Sequence, residues 1–342
     1  MNKRFIYILS GFAAVLVLAV YFIHRLFFSP SVAPKSGTAV LFIPEGADYR
    51  QAIDTVYSHL TVDNPGALNW LAAKKKYQYR VRPGKYLINK SLSVNELIDI
   101  LRSGDQTPVR ITFNNIRTIE QLAGRFGKQL ETDSLEFLAF FSDESNYKAE
   151  GFRRETIIAL FIPDTYEFFW NTTAEGIYKR MLKEYERFWN DDRLKRAEEK
   201  GLTRIEVSIL ASIIDDEVNR KVEKPRIAGV YLNRLKRGIP LQACPTIKFA
   251  LNDFTITRVL RIHLEAESPY NTYKYRGFPP GPIGCPSVEG IDAVLNAEEH
   301  NYLFFAAKAD FSGYHNFSRT LSEHNRYAAE YQRELNKRRI YR

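Results

Sequence analysis

Cysteine is scarce in this sequence, with two in 342 residues. That scarcity excludes a miniprotein built on disulfides and a zinc site made of four cysteines. None of the six histidines falls in an HExxH pattern, and their scatter reads as surface or core fill. GxxxxGK[ST] and GxGxxG are both missing, so no loop is built to cradle phosphate, and there is no GxSxG nucleophile elbow. Ser145-Asn146-Tyr147-Lys148 matches SxxK, a tetrapeptide common by chance, and it lies in a polar stretch. Internal repeats and low-complexity tracts are absent too. What is left for chemistry is acid–base work on carboxylates. At 45% hydrophobic and 26% charged, the chain has the composition of a folding protein of two or three domains.

Lysine and arginine number 49 against 40 acidic residues, a net charge of +9. An anionic partner is implied: nucleic acid, a lipid surface or an acidic polymer. The first thirty residues narrow that choice. Phe5 to Ile23 is nineteen residues without a charge, long enough to span a hydrocarbon core of about 30 Å. Tyr21, Phe22, Phe27 and Phe28 suit the interface, and Lys3, Arg4, His24 and Arg25 flank the run. As a cleaved signal peptide its only small-residue exit, Ser31-Val32-Ala33, would run into Pro34, a poor cleavage position. An uncleaved anchor is therefore expected, with the short basic tail inside and everything after Phe28 outside. Residues 1–28 hold three basic and no acidic side chains, which leaves +6 on the exported part. Nucleic acid becomes a poor partner there, and lipid headgroups or an acidic wall polymer better ones.

The remainder reads as α+β. Residues 29–38 form a Pro/Ser/Gly linker. Val40–Ile43 reads as a strand, and Ala52, Ile53, Val56 and Leu60 follow at helical spacing. A second strand is expected at Tyr77–Val81, resuming at Tyr86–Ile88. Ser93-Val94-Asn95-Glu96 is a capping box, with Gly104 ending its helix. Val109–Phe113 reads as a strand and Thr118–Gln121 as a second capping box. Residues 39–105 are thus a small α/β subdomain and 106–150 a connecting segment. From 151 to 342 the helices lengthen and the loops turn polar and aromatic. Helices are expected within 174–200, over Leu202–Arg220 and Ile227–Leu235, and at a basic Glu323–Arg342, with a strand at Tyr302–Ala306.

Asp215-Asp216-Glu217 looks like an ordinary solvated acidic run, but helical geometry separates its members. At about 100° per residue, Leu210, Ile213 and Ile214 lie within about 60° of Glu217, Asp215 lies about 160° away, and Asp216 about 100° away. Glu217 thus projects from an apolar stripe. Desolvation there raises a carboxyl pKa, the condition for a general acid near neutrality. A buried salt bridge or a cap to another element would produce the same pattern.

The helix Leu210-Ala211-Ser212-Ile213-Ile214-Asp215-Asp216-Glu217 resembles the Ala-Ser-Ile-(Ile/Val)-Glu-x-Glu helix of the YceG-like (MltG) family of endolytic murein transglycosylases. Other blocks match in the same order. They are Phe161–Tyr166 with Asn171-Thr172-Thr173, Val230–Leu235 before Gly238, and Leu241-Gln242 with Pro245-Thr246. Ser268–Tyr273, Gly277–Ile283 and His315-Asn316-Phe317 complete the series. The resemblance implies a single membrane anchor, a LysM-like subdomain at 39–105 and a catalytic domain at 151–342 in the periplasm, outside the inner membrane of a bacterium. It implies cleavage of the β-1,4 bond between N-acetylmuramic acid and N-acetylglucosamine inside nascent glycan strands, giving 1,6-anhydro ends and terminating elongation. Neither metal nor organic cofactor is implied, and partnership with the glycan polymerisation machinery is suggested. Glu217 aligns with the family's catalytic glutamate. Gln242, Tyr270, Asn271 and Tyr273 offer the amide, hydroxyl and aromatic groups that sugar binding needs; loop-stabilising hydrogen bonds are the plainer reading of each. Two departures stand out. The first motif glutamate is Asp215 here, with a supporting role at most. Cys244 and Cys285 replace the usual Asp and Thr in two loops, so a disulfide between them is expected in an oxidising compartment. A wall-binding scaffold without turnover is the alternative reading of the whole chain.

Overall fold

Hydrophobic periodicity and capping chemistry account for most of the elements of the computed structural model, which describes residues 3–218 and 220–338, with side chains from Ile6 onward. Two compact units emerge. The first comprises residues 1–111, 129–132 and 167–173; the second comprises 112–128, 133–166 and 174–342.

In the first unit a single helix, α1 (Lys3–Phe28), carries the apolar run; Ile6–Phe28 is long and apolar enough to cross a membrane. At 1.5 Å per residue its 26 residues reach about 39 Å. The expected linker is a correction. Pro30–Pro34 forms strand β1, with Val32 fully buried. β2 (Ala39–Ile43), α2 (Tyr49–His59), β3 (Leu60–Val62) and α3 (Pro65–Lys74) follow, then β4 (Gly84–Ile88), β5 (Leu92–Ser93) and α4 (Val94–Ser103). β1 lies between β3 and β5, antiparallel to both, and β2 pairs antiparallel with β4. Alternating Leu41, Ile43, Tyr86 and Ile88 meet Leu97, Ile98 and Leu101 in one core. The Ser93–Glu96 capping box and the left-handed Gly104 bound α4 as the sequence requires. Tyr77–Val81 is not a strand. Tyr77–Tyr79 is a turn of 3-10 helix that follows a left-handed Lys76, and the Tyr77 ring is fully buried in the core.

The chain continues through β6 (Val109–Phe113), α5 (Ile119–Gly127), α6 (Ser134–Ser142) and β7 (Asp164–Phe168), the last paired with β6. Thr118 caps α5 through the Gln121 N–H, but the Gln121 side chain accepts from Arg117 N–H instead of closing a capping box. In the second unit Phe113, Phe126, Phe137, Phe141 and Phe161 form an aromatic core. The charged region resolves into two helices, α7 (Ala174–Phe188) and α8 (Asp191–Glu199). α9 (Arg204–Glu217) follows, surrounded by α10 (Lys224–Lys236), α11 (Cys244–Ala250) and α12 (Val288–Leu295). β8 (Phe304–Ala307), β9 (His315–Ser318) and α13 (Leu321–Lys337) complete the chain. The last four residues of the expected basic helix, 339–342, lie outside the described residues.

Candidate active site

α9 is the central element of the second unit. A full capping box, Thr203 with Glu206, starts it, and every residue from Val207 to Ile214 is buried. Burial on all sides, Ser208 and Ser212 included, means that the apolar stripe is only part of the reason for its position. Ser212 Oγ accepts from the Ile283 N–H at 3.0 Å and so fastens the Pro-Pro-Gly-Pro-Ile loop to the helix. Gly281 is indispensable in that loop, since a Cβ there would stand 1.9 Å from the Glu155 carbonyl oxygen.

The acidic run divides three ways at the end of α9. Asp215 accepts from Lys224 Nζ at 2.8 Å and from Ser287 N–H and Oγ, both at 2.7 Å, joining the starts of α10 and α12. Lys224, only 7% exposed, also bonds Glu289 at 2.9 Å. Asp216 is gripped by the two terminal nitrogens of Arg117, whose guanidinium also lies 4.6 Å from the Phe254 ring centre. Glu217, the final residue of the helix, is half-buried and holds no hydrogen bond or ion pair among the described residues. Burial pushes its carboxyl up to about 7; Lys248 restrains the rise and Asp216 adds to it.

Around Glu217 stand Tyr231, Cys244, Tyr273 and Lys248. Burial first, and the Glu217 charge after it, raises the Tyr231 and Cys244 side chains. Burial raises Tyr273 as well, with Cys244 and then Glu217 adding to it. The Tyr273 hydroxyl and Cys244 Sγ are 3.2 Å apart. The sequence left Tyr231 inside a motif without marking it. It is 1% exposed, and its hydroxyl is buried with no hydrogen-bond partner among the described residues. Its place on the buried face of α10, one turn after Ile227 and one before Arg234, was the available signal.

The other expected sugar contacts separate. Gln242 is exposed in a left-handed conformation (φ 52°); its N–H bonds Thr272 O and its side-chain oxygen accepts from the buried Arg234. Arg234 also fixes Pro240 O and Leu303 O, at 2.9 and 3.0 Å. Tyr270 packs against Phe249 with ring centres 4.6 Å apart and planes at 51°, and lines a cavity of about 210 Å³ with Arg117, Glu155 and Pro282. Asn271 is fully buried. Its amide donates to Leu264 O and Ala266 O, and its oxygen accepts from Tyr273 N–H, so it holds the loop together and presents nothing to a ligand. The expected disulfide is absent, and both cysteines are free thiols. Cys244 belongs to the Glu217 surroundings, whereas Cys285 hydrogen-bonds Ile116 O through its backbone N–H and lines a cavity with Asp215 and Ser287. The two thiols flank different sides of the end of α9.

The profile of the YceG-like family matches residues 41–330. An endolytic murein transglycosylase of Bacillus subtilis (strain 168) is 29% identical over 285 residues, 76% of this chain and 78% of that protein. One of Streptococcus pneumoniae (strain D39) is 26% identical over 96% of this chain, which spans only 65% of the streptococcal protein. A crystal structure of a YceG-like protein from Listeria monocytogenes superposes with a TM-score of 0.56 at 25% identity, over 85% of this chain and 98% of that one. The glutamate that ends this buried helix, unpaired among the described residues, therefore has its setting in a known lineage: the chain belongs to the YceG-like family.

Proposed function

We propose that this chain is an endolytic lytic transglycosylase that cuts the β-1,4 bond between N-acetylmuramic acid and N-acetylglucosamine within peptidoglycan strands. The observation that carries this reading is Glu217, a half-buried carboxyl with its pKa raised to about 7 and no partner among the described residues. Protonated, it donates to the glycosidic oxygen as positive charge develops at C1. Ionised, it takes the proton from the muramic C6 hydroxyl, which attacks C1 and closes the 1,6-anhydro ring. One residue serves as acid and then as base, unlike the carboxylate pairs of most glycosidases.

Gln242 and Tyr273 are assigned to sugar contacts, with Tyr270 in the adjoining cavity and Asn271 as a brace for their loop. Residues 39–105 act as a LysM-like glycan-holding subdomain, and α1 anchors the chain in the inner membrane with its N-terminus inside and the catalytic part in the periplasm. Termination of strand elongation, beside the glycan-polymerising proteins, fits that placement. The test is incubation of the full chain in detergent, and of Glu217→Gln, with uncrosslinked glycan strands, followed by mass spectrometry. Expected are 1,6-anhydro ends from the native chain only. Equal product from the variant overturns the mechanism; no product from either favours a wall-binding scaffold.

A further inference from the structure

The first unit carries an exposed aromatic and basic surface on α3 beside the end of α1. α1 ends at Phe28 and β1 begins at Pro30, so the end of the apolar helix is fixed against the folded module. Phe27, 9% exposed, stacks on Trp70 of α3 with ring centres 5.0 Å apart and planes at 29°. Trp70 nevertheless stays 52% exposed, while Leu68 and Ala72 on either side of it are buried. One turn on, the Lys74 ammonium lies 5.5 Å from the Trp70 ring centre. Lys76, Tyr79 and Arg80 follow, all exposed. Lys75 is paired with Asp99, but Lys74, Lys76 and Arg80 have no carboxylate partner among the described residues.

A helix spanning a bilayer places its terminal aromatic residues where hydrocarbon gives way to headgroups. A ring in contact with Phe27 occupies the same level. Tryptophan favours that layer, and unpaired cations beside it face lipid phosphates. We propose that Trp70 with Lys74, Lys76 and Arg80 forms a docking surface for the anionic phospholipid headgroups of the membrane that α1 enters. The proposal rests on α1 spanning a bilayer. It makes the first module a body seated on the membrane surface through α3 as well as through its anchor.

The experiment uses the full chain reconstituted into phosphatidylcholine vesicles, with and without phosphatidylglycerol, carrying lipids brominated near the headgroup or deep in the acyl chain. Trp170 and Trp189 provide the constant background emission. Expected is quenching by the shallow bromines that disappears in Trp70→Phe and strengthens with phosphatidylglycerol. Replacing Lys74, Lys76 and Arg80 with Gln is expected to abolish that strengthening while flotation with vesicles persists. A floating chain whose quenching is the same in Trp70→Phe overturns the proposal alone. A chain extracted from vesicles by alkaline wash overturns the anchor and the proposal together. Trp70 emission that answers to glycan strands and not to brominated lipid overturns it in favour of sugar stacking.

Discussion

The two sides of the last turn of α9 carry the same functional group in opposite conditions. On one side Asp215 is held by Lys224 and twice by Ser287, and Gly290 leaves it room, since a Cβ there would lie 2.6 Å from its oxygens. On the other, two residues on, Glu217 has no partner among the described residues and a carboxyl raised to about 7. A satisfied carboxylate locks three helices together, while an unsatisfied one keeps a proton that it can exchange. The difference teaches that a structural carboxylate and the proposed acid–base carboxylate can sit two positions apart on one helix, set on opposite sides by its turn.

Glu217→Gln should break the comparison most deeply. Loss of an acid–base group costs about 100- to 10,000-fold in turnover, read as anhydro ends per unit time. The same variant sharpens it in stability. The folded pKa lies above the usual carboxylate value, so ionisation is penalised in the folded state above pH 7 and the penalty vanishes near pH 4. The variant is expected to gain roughly 1–2 kcal/mol at pH 8 and nothing at pH 4, by denaturant titration. Asp215→Ala is the mirror experiment. It takes from the buried Lys224 ammonium one of its two carboxylates, leaving Glu289, and frees both Ser287 donors; a loss of roughly 2–3 kcal/mol is expected, with a lowered melting temperature. Lys248→Met comes next in size: removing the cation that restrains Glu217 should move the alkaline limb of activity to higher pH, where the native chain declines through about 7. The smallest effect belongs to Tyr273→Phe, a few-fold rise in the glycan concentration needed for half-maximal rate with a modest change in turnover.

How far these features were legible from residues alone depended on whether local geometry decided them. The helical angles separating Asp215, Asp216 and Glu217 needed no tertiary knowledge, and the three side chains do leave α9 in three directions. Ser93–Glu96 and Gly104 were equally local, because a cap is chemistry between near neighbours. β1 was hidden by its prolines, which read as a linker; its pairing with β3 and β5 is decided by residues 26 to 63 positions away. Tyr77 looked like a strand residue because aromatic burial does not reveal backbone conformation. Asn271 has the composition of a sugar contact, and only the positions of the Leu264 and Ala266 carbonyls show that its amide is already occupied. Cys244 and Cys285 were joined by loop proximity, but α9 sets their surroundings apart. Tyr231 is legible as core and nothing more until Glu217 is found beside it.

The direct passage from α1 into β1 has a mechanical consequence. A spanning helix answers a thicker or thinner bilayer by changing its tilt. Only Ser29 separates Phe28 from Pro30, and Phe27 stacks on Trp70, so a change of tilt in a spanning α1 would be passed on to the folded module. With α1 as the proposed anchor, membrane thickness would thereby set the orientation of the first module.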